Sequence, residues 1–210
     1  GGGLNYFNRR TREFKWYRPQ EGRNSISHNN VKALYYDADK EIIWIGTHLG
    51  GMNRLDIRSG HFTHYRMEDN NRQTLPSDIV RDIIPYKDLL IVATQNGVCL
   101  FEPDSGKCPQ LFKDSKEGKS IKMVADILLD SEGTLWIAAT GEGVFSYRFD
   151  TRKLTNYRHD SANPNSLSNN NVNNIMQDSQ GHLWFSTSGS GLDLYHPANN
   201  DFENFDKEKN

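Results

Sequence analysis

Residues 172–195, VNNIMQDSQGHLWFSTSGSGLDLY, contain the pattern that decides the fold. Two apolar residues three apart precede a polar turn, and the compact apolar run Leu183-Trp184-Phe185 follows that turn. A break bracketed by glycines then leads into a second alternating run. Short apolar runs separated by glycine and Asx turns are typical of β-strands, whereas helices need longer windows of 3.6-residue periodicity.

The same pattern recurs along the chain. Spacings of 47, 45 and 48 residues separate the central positions of successive apolar runs, which are Trp44, Ile91, Trp136 and Trp184. The first residues fit only the tail of this repeat, because Leu4 is followed ten residues later by Phe14 and thirteen residues later by Tyr17. A repeat of this length with about four short strands per unit is the signature of a β-propeller blade.

The sequence therefore predicts an all-β chain, a β-propeller with four whole four-stranded blades preceded by a half blade. The half blade spans residues 1–19, and the whole blades span about 24–66, 73–113, 118–158 and 165–206. We expect an open arc, a fragment of a larger, seven-bladed propeller. Its ends would expose an unpaired strand edge and an apolar face, so self-association or a homodimer is expected to cover them.

Composition excludes some partners and leaves the redox compartment open. The net charge of −2 argues against nucleic-acid binding, and no apolar run is long enough to span a membrane. Cys99 is predicted to lie opposite residue 110 in a hairpin, so a disulfide to Cys108 would require a diagonal reach. We therefore interpret Cys108 as a small buried hydrophobic residue and disfavour the disulfide.

No catalytic residue, metal site or cofactor is predicted. Asp37, Asp130 and Asp178 recur at one turn position of the repeat, which indicates turn geometry rather than a pair of catalytic carboxylates. No cluster of cysteines and histidines has the spacing of metal ligands. The tryptophans at the centre of the apolar runs are predicted to pack in the core, and Trp16, in an outer strand, is predicted to be exposed.

The remaining candidates for function lie in loops. In a propeller, the mouth of the channel is lined by the connectors that enter each inner strand and by the turns between second and third strands. In this sequence those loops are rich in side chains that both donate and accept hydrogen bonds, as hydroxyl-rich ligands require. The ligand-binding candidates are His28, Asn29, His48, Gln95, Asn96, Glu142, Asn169, Asn170 and Ser188. The alternative, that these are merely solvated loops, is open at this point.

The repeat resembles the two-component regulator propeller repeat. The shared pattern is N-S-L-S-x-N-x-V-x-x-I-x-x-D-x-x-G-x-L-W-[IF]-[GS]-T-x-x-x-G-L, followed by F-x-x-[YF]. Residues 165–205 match it almost throughout, residues 24–65 match it well, and the two middle copies match in part.

The resemblance implies a role in signalling. Such repeats form the periplasmic sensor region of hybrid two-component system histidine kinases, which senses oligosaccharides released from polysaccharides and acts as a dimer. The chain would then be a non-catalytic sensor segment, with the kinase elsewhere in the parent protein. Two alternatives are a carbohydrate-active propeller enzyme, which would need arginines and carboxylates clustered on one face, and a propeller scaffold that binds only protein.

Overall fold

The structure, a computed structural model, describes residues 2–205, and these form short antiparallel strands with one 3-10 turn, Gly118–Ser120. The predicted end of the last blade at residue 206 lies outside the described residues, as does residue 1. The chain divides into two compact units, Gly1–Leu111 and Phe112–Asn210.

The first unit contains three sheets in which neighbouring strands follow each other in sequence. The half blade is a two-stranded sheet of β1 (Leu4–Asn8) and β2 (Glu13–Tyr17). The next sheet has four strands, which are β3 (Val31–Asp37), β4 (Ile42–Thr47), β5 (Met52–Asp56) and β6 (Phe62–Tyr65). The third sheet has three strands, which are β7 (Val80–Tyr86), β8 (Leu89–Thr94) and β9 (Gly97–Phe101).

The second unit contains two four-stranded sheets of the same meander topology. The strands of its first blade are β10 (Val124–Leu129), β11 (Thr134–Ala139), β12 (Gly143–Arg148) and β13 (Lys153–Tyr157). The strands of its second blade are β14 (Val172–Gln177), β15 (Leu183–Thr187), β16 (Gly191–His196) and β17 (Asp201–Phe205). These sheets are the propeller blades that the sequence predicts.

The blade at residues 73–113 departs from the prediction, because its fourth strand is reduced to the isolated bridge between Cys99 and Gln110. Leu100 donates to the carbonyl oxygen of Pro109 at 3.1 Å, but Pro109 has no N–H to donate in return. The ladder with β9 therefore lacks one of the hydrogen bonds that a regular fourth strand makes.

The expectation that Cys99 and Cys108 stay unlinked is wrong, since the two form a disulfide. Cys99 does lie opposite Gln110, as predicted. The irregular segment around Pro109 nevertheless brings the Cα atoms of the two cysteines to 5.5 Å, within the range that a disulfide requires. Both cysteines are completely buried.

The blades are held together by aromatic packing. In the first unit, the ring of Trp44 on β4 packs edge-on against Phe101 of the following blade, with 5.2 Å between ring centroids. In the second unit, Trp136 on β11 makes the same kind of contact with Phe185 at 5.5 Å and with Tyr195 at 5.0 Å. The predicted burial of Trp44 and Trp136 is confirmed.

Trp184 is only partly buried, which corrects the prediction that it is a core residue. Its ring contacts Phe205 of its own sheet at 5.6 Å between centroids, and among the described residues of its unit no further blade covers it. The prediction for Trp16 is confirmed, because 62% of this residue is exposed.

The aspartate of the repeat fixes both the turn and the tryptophan. Asp130 Oδ1 accepts the N–H groups of Glu132 and Thr134, and its Oδ2 accepts the indole N–H of Trp136 at 2.7 Å. Asp178 binds the indole of Trp184 in the same way at 3.1 Å. That hydrogen bond is the largest of the interactions that hold the pKa of Asp178 well below its usual range. These carboxylates are therefore structural, as the turn interpretation predicts.

We expect Trp136→Ala to lower the free energy of unfolding by about 3–5 kcal/mol, because a buried aromatic side chain and its contacts with the next blade are lost. Trp16→Ala, the control in an exposed strand, should cost less than about 1 kcal/mol. Chemical denaturation followed by circular dichroism measures both values. Equal losses at the two positions would contradict the assignment of buried and exposed faces.

Candidate functional site

The candidate site is the rim, defined as the connectors that enter the first strand of each blade together with the turns between second and third strands. In the first unit it includes residues 26–30, 48–51, 75–79 and 95–96. In the second unit it includes residues 140–142, 167–171 and 188–190. The two units are described separately.

Backbone hydrogen bonds fasten the turns of the rim to the connectors. In the first unit, the N–H of His48 donates to Asn30 of its own connector at 2.8 Å, and Gly51 donates to Asp78 of the next connector at 2.9 Å. The second unit repeats the latter contact, since the N–H of Gly143 donates to the carbonyl oxygen of Asn170 at 3.0 Å. The rim is therefore part of the hydrogen-bonded framework that joins neighbouring blades.

Glycine is required where the turn between the second and third strands meets the third strand. Gly51 and Gly143 have φ angles of +69° and +79°, in the left-handed region that favours glycine. A Cβ atom on either residue would overlap a backbone carbonyl oxygen, that of Tyr65 or that of Tyr157. This explains why glycine recurs at this position of the repeat.

Histidines meet at the rim of the first unit. The rings of His28 and His48 lie 6.4 Å apart between centroids. His28 Nδ1 accepts the N–H of Asn30 at 3.1 Å, so the proton of the neutral ring lies on Nε2. Nδ1 of His48 is buried and has no hydrogen-bond partner among the described residues. Of the predicted residues, His48 is thus the one with a buried polar atom that lacks a partner among the described residues.

The other predicted residues of the first unit take part in loop contacts. The carbonyl oxygen of Asn29 accepts the N–H of Gly3 at 2.8 Å, and the N–H of Gln95 donates to Ile79 at 2.9 Å. The amide of Asn96 reaches the carbonyl oxygen of Pro76 at 3.5 Å, a long contact. The side chains of Asn29 and Gln95 make no hydrogen bond with the described residues and are available to a ligand.

The four predicted residues of the second unit already have partners. Asn170 Oδ1 accepts the N–H of His159 at 2.8 Å, and Asn169 Nδ2 donates to the carbonyl oxygen of Ser188 at 3.2 Å. The Ser188 hydroxyl donates to Asn173 Oδ1 at 3.1 Å. Glu142 forms an ion pair with Arg158. The structure brings these residues together as a network within the rim, and their role in ligand binding stays a prediction.

In the two copies that fit the repeat pattern best, a buried polar residue on the third strand hydrogen-bonds to the connector. The repeat pattern did not predict this contact. Asp193, with no exposed surface, accepts the N–H and the hydroxyl of Ser168, each at 3.1 Å. It also accepts a hydrogen bond from Asn204 Nδ2 at 2.8 Å. Asn53 makes the matching contacts with Ser27, both at 2.8 Å. The other copies have Cys99 and Phe145 at this position. Because a polar residue does not recur there in every copy, the repeat pattern does not indicate its role.

Burial raises the pKa of the Asp193 carboxyl group, and its hydrogen bonds oppose that shift. No group of three or more His, Cys, Asp or Glu residues within residues 2–205 could hold a metal ion. Over the same part of the chain, no helix has the length and apolar character needed to traverse a bilayer.

The chain matches the family model of the two component regulator propeller at residues 25–48 and 166–189. Each match covers a connector and the first two strands of a blade, β3–β4 in one case and β14–β15 in the other. The chain thus contains this repeat in the two copies that the sequence pattern fits best. No curated protein matches the chain.

Solved structures share the fold. The extracellular domain of a hybrid two component system from B. thetaiotaomicron is 22% identical with a TM-score of 0.82, covering 96% of this chain and 27% of that one. A second such domain from the same organism is 22% identical with a TM-score of 0.73, over 92% of this chain and 24% of that one. PorZ of Porphyromonas gingivalis, a surface component of the type-IX secretion system, is 18% identical with a TM-score of 0.70, over 100% of this chain and 32% of that one.

The chain therefore spans between about a quarter and a third of the length of these structures. At these identities the likeness establishes the fold, and it agrees with the propeller that the repeats predict.

We expect Gly143→Ala to lower the free energy of unfolding by roughly 3 kcal/mol, because the new Cβ atom meets the Tyr157 carbonyl group in a strained backbone conformation. Gly141→Ala is the matched control, since Gly141 has a similar φ of +81° and no atom within 4 Å of the added Cβ. It should cost about 1 kcal/mol. Urea denaturation measures both, and equal costs would contradict the close approach.

We expect Asp193→Asn to gain stability relative to the wild type as the pH rises from about 4 towards neutrality. The raised pKa means that the folded wild type keeps the Asp193 proton to higher pH than the unfolded chain does. That contribution to stability is complete below the unfolded pKa and is lost as the pH rises through the folded pKa, whereas Asn does not titrate. Urea denaturation over a pH series measures the difference, and a difference independent of pH would refute the buried-carboxyl assignment.

Asp150→Asn provides a control of opposite sign. Its hydrogen bond with the Arg148 side chain is the main cause that lowers the pKa of Asp150 to about 2. The wild type therefore gains stability from this group above the unfolded pKa and loses it as the pH falls, so Asp150→Asn should become relatively less stable as the pH rises.

Proposed function

We propose that the chain is a segment of an extracytoplasmic, non-catalytic sensor propeller in a hybrid two-component signalling protein, and that it binds oligosaccharides derived from polysaccharides. The observation that carries this proposal is the match of the two component regulator propeller to residues 25–48 and 166–189. The likeness in fold to extracellular domains of hybrid two component systems supports it.

The disulfide supports a location outside the cytoplasm, in the periplasm. Disulfides persist in secreted and periplasmic proteins, whereas cytosolic thiols are usually kept reduced. Cys99 and Cys108 are both completely buried, and their disulfide links β9 to the segment that follows it. An oxidising compartment suits this arrangement.

The use of the acidic residues supports a binding role rather than catalysis. A glycosidase needs a pair of carboxylates that can exchange a proton or attack the substrate. Asp130 and Asp178 instead hold turn N–H groups and the indole N–H of a tryptophan. The carboxylates are occupied within their own blades.

The rim of the first unit supports the choice of ligand class. Nδ1 of His48 is buried, but Nε2 of this partly exposed ring makes no hydrogen bond with the described residues and can donate to or accept from a ligand hydroxyl. The amide side chains of Asn29 and Gln95 have no partner among the described residues and add further donors and acceptors. Self-association through the strand edge at residues 4–7 and the apolar face of the last blade stays a prediction.

A thermal-shift screen of the chain against a panel of plant, fungal and mucin oligosaccharides tests the proposal. We expect one structural class to raise the melting temperature in a saturable way. His48→Ala should weaken that binding about fivefold or more, as the loss of a hydrogen bond to a ligand would. His61→Ala is the control, because His61 is exposed in the turn between β5 and β6.

A panel in which no oligosaccharide stabilises the chain would contradict the proposal. Cleavage of any panel member, if Asp130→Asn abolished it without unfolding the chain, would instead favour the carbohydrate-active enzyme. Binding that His48→Ala leaves unchanged would remove the rim as the binding site while leaving the sensor role in place.

A further inference from the structure

The second unit contains a cleft that is separate from the rim. It has a volume of about 750 Å³, and it lies between the two blades on the outer part of their facing surfaces. One wall is formed by β11, β12 and β13, and the other by residues 177–183 with Tyr195 and Pro197. A volume of this size is within the range of small-molecule sites, about 300–1,000 Å³.

The cleft exists because a small residue replaces a large one. Ser146 lies directly opposite Trp136 in the ladder between β11 and β12, so both side chains lie on the same face. In the first unit, the residue opposite Trp44 is Arg54, whose guanidinium lies 3.7 Å from the carboxylate of Asp56. The arginine fills the space next to its tryptophan, and the serine leaves the corresponding space open.

The exposed polar atoms of the cleft wall are unsatisfied. The hydroxyl groups of Thr134, Ser146 and Thr155 have no hydrogen-bond partner within residues 2–205, and Lys153 has no ion-pair partner there. Thr134 and Ser146 are nevertheless buried, with 8% and 9% of their surface exposed. Their hydroxyl oxygens nevertheless open onto the cleft, since Nδ1 of His48 is the one buried side-chain polar atom without a partner among the described residues, so these hydroxyl groups are accessible to a polar ligand.

The two walls are held in place independently of any ligand. At one end, Gln177 accepts the N–H of Ser131 at 2.9 Å and donates to the hydroxyl group of Ser131 at 3.1 Å. At the other end, the hydroxyl groups of Tyr157 and Tyr195 both donate to Asn200 Oδ1 at 2.8 Å. Both ends of the cleft are therefore fixed across the two blades, which lowers the entropic cost of binding.

The chemistry of the lining selects a class of ligand. Arg148 and Lys153 in the lining are balanced by Asp130 and Glu132, and His182 is paired with Asp178, so neither an anion nor a cation is favoured overall. The carboxylate oxygens of Asp130 are already used, and Arg148 is paired with Asp150. The groups without a partner include three hydroxyls, the Lys153 ammonium, the Glu132 carboxylate and the Gln180 amide, which suit a molecule with many hydroxyl groups.

We propose that this cleft between the two blades of the second unit is a binding site for an uncharged sugar of mono- or disaccharide size. The sugar hydroxyls would bind Ser146, Thr155 and Lys153, beside the edge of Trp136. This site is distinct from the rim, and the inference rests on the proposed function only for the expectation that carbohydrates reach the protein.

The test is a titration of the ¹⁵N-labelled chain with methyl glucoside, cellobiose, maltose and lactose, followed by NMR. We expect at least one disaccharide to shift the indole signal of Trp136 and the amide signals of Gln180 and Gly181 in a saturable way. The indole signals of Trp16 and Trp44 are internal controls and should not move. Glucuronic acid, the charged comparator, should bind more weakly than methyl glucoside.

Matched variants locate the binding. Ser146→Arg introduces the residue that the chain itself has at position 54, and it should abolish the Trp136 shift. Thr155→Val should weaken binding about fivefold through the loss of a hydrogen bond. Thr63→Val is the control at the equivalent position of the first unit, since Thr63 lies opposite Arg54 as Thr155 lies opposite Ser146.

The outcomes separate this proposal from the proposed function. Saturable binding that His48→Ala abolishes and that Ser146→Arg and Thr155→Val leave intact would overturn the cleft and preserve the rim. Binding lost in Ser146→Arg and weakened in Thr155→Val, but unchanged in His48→Ala, supports the cleft. Failure of every sugar to shift Trp136 overturns the cleft, whatever the oligosaccharide screen shows for the rim.

Discussion

The packing of one blade against the next is the interaction on which the rest of the structure depends. A single four-stranded sheet cannot bury two apolar faces, so each blade needs a neighbour. Trp136 supplies the largest side chain at this interface in the second unit, where it contacts Phe185 and Tyr195. The hydrogen bond from its indole to Asp130 links this packing to the turn before β11, so the recurring Asp and Trp of the repeat act together.

The rim and the cleft are two consequences of this stacking. At one edge of the blades, the N–H of Gly143 donates to the carbonyl oxygen of Asn170 in the connector. Side chains of the rim, such as those of Asn169 and Asn170, hydrogen-bond to neighbouring loop residues. At the outer part of the same interface, Ser146 stands where the first unit has Arg54, and polar groups are left without partners. In the second unit, therefore, more polar groups lack a hydrogen-bond partner between the blades than among the predicted residues of the rim.

The sequence predicts those features that recur with the repeat and fails at those that depend on contacts between different copies. The period, the strand order and the burial of Trp44 and Trp136 follow from local patterns, and the structure confirms them. The sequence disfavours the disulfide because it places Cys99 opposite Gln110, and it does not reveal the diagonal approach of Cys108 that the structure shows. Neither the support of Ser168 by Asp193 nor the cleft at Ser146 could be predicted, because each depends on which side chain faces which across separate strands or blades.

Hydrogen exchange at the amide of Gly143 tests most directly whether neighbouring blades form one cooperative framework. This N–H donates to Asn170 in the connector of the following blade, so it lies outside the ladder of its own sheet. We expect Gly143 to exchange as slowly as the amides of β11, since in one cooperative framework both become free only when the two blades unfold together. Exchange of Gly143 near the rate of an unfolded chain, while the β11 amides stay protected, would show that the blades fold independently and would contradict the account.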